Sequence, residues 1–127
     1  GRAAAAVTPH LSRCLQDGQM WVRRNAAEAL GTIAPSDEAT VAHLAEVLID
    51  EDERVRRNAA LALAKIGPPA LSAVDALTPL LHDENRYVRF NGFLALQRIG
   101  TSRALEVLWA DVHTARWCPI TTQETPY

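Results

Sequence analysis

DEDERVRRNAALALAKIG, residues 50–67, decides the fold of this chain because its pattern occurs three times. DGQMWVRRNAAEALGTIA (17–34) precedes it and DENRYVRFNGFLALQRIG (83–100) follows it, each displaced by 33 residues. The acidic, valine, arginine, asparagine, leucine and isoleucine positions keep the same register in all three copies. Self-similarity at a fixed period of a few tens of residues is typical of a solenoid of stacked units.

Each unit is predicted to form an outer and an inner helix, separated by the acidic turn. In the second unit, ATVAHLAEVLID (39–50) has apolar residues at helical spacing, with Asp37 as its N-cap. The inner helix follows the turn. Counted from Val22 at about 100° per residue, its apolar residues lie within about 80° of each other and form a stripe that packs on the outer helix; they are Ala26, Ala29, Leu30 and Ile33.

The pattern predicts an all-α solenoid of three 33-residue helix pairs with a C-terminal capping helix. The units cover about 1–33, 34–66 and 67–99, the final helix 102–113, and an extended tail or linker 114–127. Pro68 and Pro69 open the third outer helix and Pro79 is expected to kink it. The capping helix offers four apolar residues for burial, namely Leu105, Leu108, Trp109 and Val112.

Both ends of the chain carry expectations of their own. Gly1 is in phase with Ala34, Gly67 and Gly100, the positions that close each unit, so we expect this chain to be a piece of a longer protein. The tail holds two prolines and is expected to be extended, either packed on the last unit through Trp117 or serving as a linker.

Composition narrows the class of protein. The chain has 127 residues, of which 48% are apolar, and a formal net charge of −2, so no global field attracts nucleic acid or anionic membranes. No apolar run approaches the length of about 20 residues that spans a bilayer. Two cysteines are too few for a disulfide framework: Cys14 is expected in the core and Cys118 in the tail. A cytoplasmic location fits these features best.

The repeated string resembles HEAT-like repeats, in particular the short variety found in phycobilin lyase subunits. The second unit matches best, and the resemblance covers residues 1–113, with departures at Ala34, Phe90 and Gly92. The ankyrin and tetratricopeptide patterns, which have similar periods, do not fit. The resemblance implies that the acidic and basic residues that recur six positions apart form a structural ladder between units. These pairs are Asp17/Arg23, Asp50/Arg56 and Asp83/Arg89.

One face of the inner helices differs between units while the core positions agree, and in this family that face lines the concave side of the superhelix. Its residues are predicted to bind a partner because aromatic and arginine side chains dominate interface hot spots. They are Trp21, Arg24, Asn25, Glu28, Arg54, Arg57, Asn58, Leu61, Lys65, Tyr87, Phe90, Asn91, Leu94 and Arg98. The alternative interpretation is that the aromatic residues pack on a neighbouring unit and the arginines are solvated.

The asparagine that recurs in every inner helix allows two interpretations. Asn25, Asn58 and Asn91 occupy mid-helix positions, where asparagine costs about 0.5 kcal/mol relative to alanine. The amides are predicted either to form a hydrogen-bonded stack from unit to unit or to bind the backbone of a ligand.

The sequence gives little support to catalysis, and we expect no cofactor and no metal. His10 and His43 share a phase, which places them about 10 Å apart on successive helices, too far to share one zinc ion. The acidic run 50–53 lacks the glycine and distal glutamate of a calcium loop. The His-Glu dipeptide of the HEAT-repeat iron hydroxylases is absent.

The resulting hypothesis is a non-catalytic protein-interaction module that binds a protein or peptide of acidic character. Two alternatives stay open: a subunit of a bilin-lyase-type enzyme, which needs a cysteine or histidine near an aromatic pocket, and a nucleic-acid-binding module like some HEAT-like DNA glycosylases.

Overall fold

A computed structural model describes residues 2–116, with side chains described from Ala6 to Thr114. Within this range the chain forms α-helices and short 3₁₀ segments. The α-helices are α1 (Arg2–Cys14), α2 (Met20–Ile33), α3 (Glu38–Glu46), α4 (Glu53–Ile66), α5 (Val74–Leu77), α6 (Arg86–Ile99) and α7 (Ser102–Arg116).

The helices lie in two layers, as the repeat pattern predicts. The inner layer contains α2, α4 and α6, which are each 14 residues long and pack side by side. The outer layer contains α1, α3, the segment around α5, and α7. The core between the layers is made of in-phase leucines that are fully buried: Leu30, Leu63 and Leu96 from the inner helices and Leu44 and Leu77 from the outer layer. The predicted all-α solenoid is confirmed.

The outer layer is less regular than its sequence phase predicts. In the second unit α3 ends at Glu46 and a 3₁₀ turn covers Val47–Ile49, so the single helix predicted over 39–50 is wrong at its end. In the third unit 3₁₀ segments Pro68–Ala73 and Thr78–His82 flank the four residues of α5. Prolines lack the N–H that a continuous α-helix requires, which explains why the third outer segment breaks at both ends.

The predicted N-cap at Asp37 is confirmed. Its carboxylate accepts hydrogen bonds from the backbone N–H and the hydroxyl of Thr40, at 2.9 and 2.7 Å. Partial burial opposes ionisation of this carboxyl, but the two bonds from Thr40 outweigh it and lower the pKa of Asp37. The cap therefore fixes the start of α3 next to the loop that joins the first two units.

The apolar stripe of the inner helix is fully buried in the second and third units but not in the first. Val55, Ala62 and Ile66 of the middle unit are buried, whereas their counterparts in the first unit, Val22, Ala29 and Ile33, are half-buried. The apolar stripe was thus predicted correctly in composition, and the difference in burial comes from position in the stack.

The three residues that close the inner helices all have positive φ. Gly67 and Gly100 have φ of 74° and 65°, and Ala34 has φ of 50° with ψ of 54°, the left-handed conformation. In all three, the closing backbone N–H still bonds the carbonyl four residues earlier. Ala34 therefore adopts the left-handed conformation that glycine usually adopts at this position. The steric conflict of its Cβ with the backbone costs about 1 kcal/mol or more.

Replacing Ala34 by glycine is expected to raise the free energy of unfolding by about 0.5 to 1 kcal/mol, because relief of the left-handed strain exceeds the entropy that glycine gains in the unfolded chain. Urea denaturation followed by circular dichroism measures the change. Ala42→Gly, at an exposed position inside α3, is the control and is expected to destabilise the protein by up to about 1 kcal/mol. A loss of stability in Ala34→Gly would contradict the assigned role of this residue.

The last helix differs from its predicted packing. Leu108 and Ala104 are buried, but Leu105, Trp109 and Val112, also predicted to be available for burial, are exposed. Two polar contacts join α7 to the preceding outer segment: an ion pair of Arg103 with Asp75 at 3.2 Å and a contact of His82 Nε2 with Asp111 at 3.3 Å. Helix α7 continues to Arg116, three residues beyond the predicted end at 113. The tail predictions concerning Trp117 and Cys118 lie outside the described residues.

Candidate partner-binding face

The in-phase aspartates and arginines form the ladder that the resemblance implies, and the structure specifies its pattern. Arg23 Nε donates to Asp50 Oδ2 at 2.6 Å and Arg23 Nη2 donates to Asp50 Oδ1 at 3.1 Å. Arg56 forms the same fork with Asp83, at 2.9 and 3.2 Å. Each arginine also donates from Nη1 to the backbone carbonyl of the aspartate in its own unit. One side chain therefore joins the turn of its unit to the turn of the next.

The ladder is largely shielded from water. The side chains of Arg23 and Asp50 are only 12% and 8% exposed, and the hydrogen bond to Asp50 raises the pKa of Arg23 above its ordinary value. Bidentate arginine–carboxylate pairs of this kind are stronger than single contacts because two charge-assisted bonds share one geometry. These arginines are committed to holding the units together, and they are not available to a ligand.

The repeated asparagine also joins units, in a way the sequence did not indicate. Asn58 Nδ2 donates to the backbone carbonyl of Arg24 at 3.3 Å, and Asn91 Nδ2 donates to that of Arg57 at 3.2 Å. The amide thus bonds the main chain of the preceding inner helix. The predicted bonding from unit to unit is present, but its acceptor is a backbone carbonyl and not another amide. Asn91 is buried, whereas Asn25, on the first inner helix of the described residues, is exposed.

We use the term inner face for the side of α2, α4 and α6 that carries the remaining predicted residues. Its aromatic side chains are open to solvent: Trp21 is 54%, Tyr87 51% and Phe90 63% exposed. They therefore do not pack into a neighbouring unit, which was the alternative interpretation of their pattern. Leu61 and Leu94 are half-buried, and Leu94 packs against the core.

Cations surround Trp21. The guanidinium carbons of Arg24 and Arg54 lie 5.2 and 5.3 Å from the centroid of its ring, within the range of a cation–π interaction. Arg54 also contacts Asp52 at 3.3 Å, while Arg24 has no ion pair within the described residues. Farther along, Arg86 lies over Tyr87 at 4.9 Å and donates to its hydroxyl at 2.9 Å. Two aromatic rings of the inner face, those of Trp21 and Tyr87, thus lie in contact with positive charge.

A cavity of about 190 Å³ opens between α2 and α4 on the inner face. It brings together six of the predicted residues: Arg24, Glu28, Arg57, Asn58, Leu61 and Lys65. Gly31 also lines it, and a Cβ at this position would lie 3.2 Å from Ala62 Cα. Gly31 was not among the residues predicted for this face, although the absence of a side chain at this position lets α2 and α4 approach closely here.

A larger cavity of about 640 Å³ lies in the outer layer, between α1 and α3. It is lined by Pro9, Arg13, Ile33 and His43 among others. In the sequence, only the repeat phase that His43 shares with His10 drew attention to this part of the outer layer. Within the described part of the chain, no group of histidine, cysteine, aspartate or glutamate side chains could hold a metal ion. Cys14 is half-buried against the core.

The two-layer stack, the ladder and an exposed inner face define a helical-repeat solenoid. The chain matches the family model for HEAT repeats over residues 1–64 and 41–117, and it belongs to this family. The phycobilin-lyase variety named by the resemblance is a finer assignment than this match supports.

Two solved structures of engineered proteins from the Northeast Structural Genomics Consortium share the fold. One is 27% identical with a TM-score of 0.71 and matches 87% of this chain; the other is 29% identical with a TM-score of 0.69 and matches 86%. This chain spans 53% and 31% of their respective lengths. No curated protein matches the chain. Among residues 2–116, no helix is both long and apolar enough to cross a membrane.

Proposed function

We propose that this chain is a non-catalytic binding module that holds an acidic segment of a partner protein on its inner face. The observation that carries the proposal is the group of cations around the cavity between α2 and α4. Within the described residues, Arg24, Arg57 and Lys65 have no carboxylate in ion-pair distance, in contrast to the ladder arginines on the same helices.

The sign of the charge supports an acidic partner. Among the predicted residues of the inner face there are five cations (Arg24, Arg54, Arg57, Lys65 and Arg98) and one anion, Glu28, whereas the whole chain has a net charge of −2. The positive face is therefore a local feature that opposes the overall charge. Such segregation favours association with a surface of opposite sign and disfavours like-charged partners.

The exposed rings support a protein partner. Trp21, Tyr87 and Phe90 give the face an apolar surface that water covers in the free protein. Tryptophan, tyrosine and arginine are the side chains that contribute most at protein interfaces, and rings already fixed by guanidinium groups lose little freedom on binding. We infer that an acidic segment with one or two apolar side chains fits this face.

The test uses a library of displayed 12-residue peptides selected on the immobilised full chain. We expect the selected peptides to be acidic, and we expect Arg24→Glu with Arg57→Glu to weaken their binding by about tenfold or more, since two of the three cations at the cavity change sign. The matched control is Arg13→Glu with Arg103→Glu, which changes the net charge equally on the outer layer.

Circular dichroism and thermal melting of both double variants establish that each is folded. Equal binding by the two variants would remove the inner face from consideration. A single-stranded oligonucleotide that binds more tightly than any selected peptide, with the steep salt dependence of phosphate contacts, would overturn the proposal in favour of nucleic acid.

A further inference from the structure

The C-terminal end of the solenoid presents an unfinished interface between units. In the first two units the side of the inner helix that faces the next unit carries Arg23, Ala27 and Gly31, and then Arg56, Ala60 and Ala64, all covered by the following inner helix. The same positions of α6 are Arg89, Phe93 and Gln97. All three are exposed, because the described chain contains no fourth inner helix.

Arg89 makes only part of the contacts that the other two ladder arginines make. Its Nη1 donates to the carbonyl of Asp83 at 2.7 Å, as Arg23 and Arg56 do in their own units. In those two arginines Nε and Nη2 bind the aspartate of the next unit, but the in-phase position 33 residues after Asp83 is Arg116. Among the described residues no carboxylate pairs with Arg89, so this guanidinium is oriented for an acid that the ladder does not supply.

Helix α7 extends this end with an apolar stripe. At about 100° per residue, Leu105, Trp109 and Val112 lie within about 60° of one another around the helix. Asp111, which contacts the preceding outer segment, lies on one side of Leu108, and the stripe lies on the other. The stripe therefore faces the side where a further unit would stand. Trp109 is 73% exposed. Phe93 of α6, four residues after Arg89, is also exposed.

We propose that this end binds one amphipathic helix of a partner protein, in the position of a fourth inner helix. The existing interfaces specify its chemistry. The incoming helix has an aspartate at its N-terminal turn, which completes the fork on Arg89. Eight residues after this aspartate it has an asparagine, the spacing that separates Asp50 and Asn58. This asparagine donates to the carbonyl of Phe90, as Asn58 donates to that of Arg24. Its apolar side covers Phe93 and Trp109.

Other occupants fit less well. A second copy stacked in register would bring its α1 into the outer-layer position that α7 already occupies, next to the place of a fourth inner helix. Residues 117–127 contain no aspartate or asparagine and have prolines at 119 and 126, so they do not carry the pattern of the required helix.

The test uses a synthetic peptide of residues 50–66, which carries the required pattern, labelled and titrated with the full chain while its fluorescence anisotropy is recorded. We expect binding that Arg89→Ala weakens by about tenfold, as expected for loss of a bidentate charged hydrogen bond. Trp109→Ser is also expected to weaken it. Arg13→Ala, at an exposed arginine on α1, and the inner-face double variant at Arg24 and Arg57 are expected to leave it unchanged.

Variants of the peptide provide the matched comparison. Asp50→Asn in the peptide is expected to weaken binding, whereas Glu53→Gln, which removes an equal charge from an outward position, is not. Absence of binding, or binding insensitive to Arg89→Ala and Trp109→Ser, overturns the proposal. Loss through Arg24 and Arg57 alone would assign the peptide to the inner face. Dimerisation of the chain alone that Trp109→Ser abolishes would assign the end to a second copy, and either outcome overturns the proposal.

Discussion

Replacing Asp50 by alanine is expected to lower the free energy of unfolding by about 3 kcal/mol, the usual size when one partner of a shielded ion pair is removed. The guanidinium of Arg23, which is 12% exposed, would lose both of its carboxylate bonds. The turn would also lose the bond from the Asp52 N–H to Asp50, at 2.9 Å. Urea denaturation measures the change, with the midpoint shifting and the slope constant.

Glu51 provides the matched control for this variant. Its carboxylate lies 4.0 Å from the same guanidinium, but its side chain is 92% exposed. Exposed pairs at this distance contribute little, so Glu51→Ala is expected to change stability by less than about 0.5 kcal/mol. Asp50→Asn is expected to fall between the two, because the amide oxygen can still accept the bond from Asp52. Equal losses at Asp50 and Glu51 would show that overall charge, and not the ladder, stabilises the stack.

Replacing Gly92 by alanine is expected to destabilise the protein by about 1 to 2 kcal/mol, although alanine is the better helix former by about 1 kcal/mol. A Cβ at Gly92 would lie 2.9 Å from Leu80 Cβ, and the backbone of Leu80 follows at 3.6 Å. Leu80 belongs to the 3₁₀ segment at Pro79, so the main chain rather than a flexible side-chain end must move. Thermal and urea denaturation of the variant measure the loss.

The same phase in the second unit supplies the control. Ala59 corresponds to Gly92 and is fully buried. Ala59→Gly is expected to destabilise by about 1 kcal/mol or more through helix propensity and lost packing. We therefore expect the protein to be more stable with alanine than with glycine at position 59, and more stable with glycine than with alanine at position 92. Stabilisation of the protein by Gly92→Ala would contradict this explanation.

The stacking of units could be predicted from the sequence because it depends on residues that repeat. Asp50 and Arg56 recur at 33-residue spacing, and any contact between neighbouring units that uses them must recur as well. The direction of the bond could not be predicted from phase alone: Arg23 binds the carboxylate of the next unit and the carbonyl of its own. The acceptor of Asn58 could not be predicted for a related reason: it is a backbone carbonyl, which every residue type carries.

Features that depend on what a helix contacts were less predictable. Leu105 and Trp109 have the spacing of a buried stripe, but burial requires a neighbour, and the described chain provides none on that side. Similarly, the aromatic residues of the inner face have the composition of either a core or an interface. Their exposure to solvent distinguishes a core from an interface. Exposure depends on how the units stack, and it cannot be derived from helix propensity or from the repeat period.

Binding on the inner face is the central claim, and the indole N–H signals of the ¹⁵N-tryptophan-labelled chain test it most directly. The chain has three tryptophans, of which Trp21 lies on the inner face and Trp109 at the C-terminal end, so the signals of these two report on the two surfaces separately. Assigned by Trp21→Phe and Trp109→Phe, they are recorded while an acidic peptide selected on the full chain is added. The signal of Trp21 is predicted to shift with the peptide while that of Trp109 stays in place; a shift at Trp109 with Trp21 unmoved would contradict the claim.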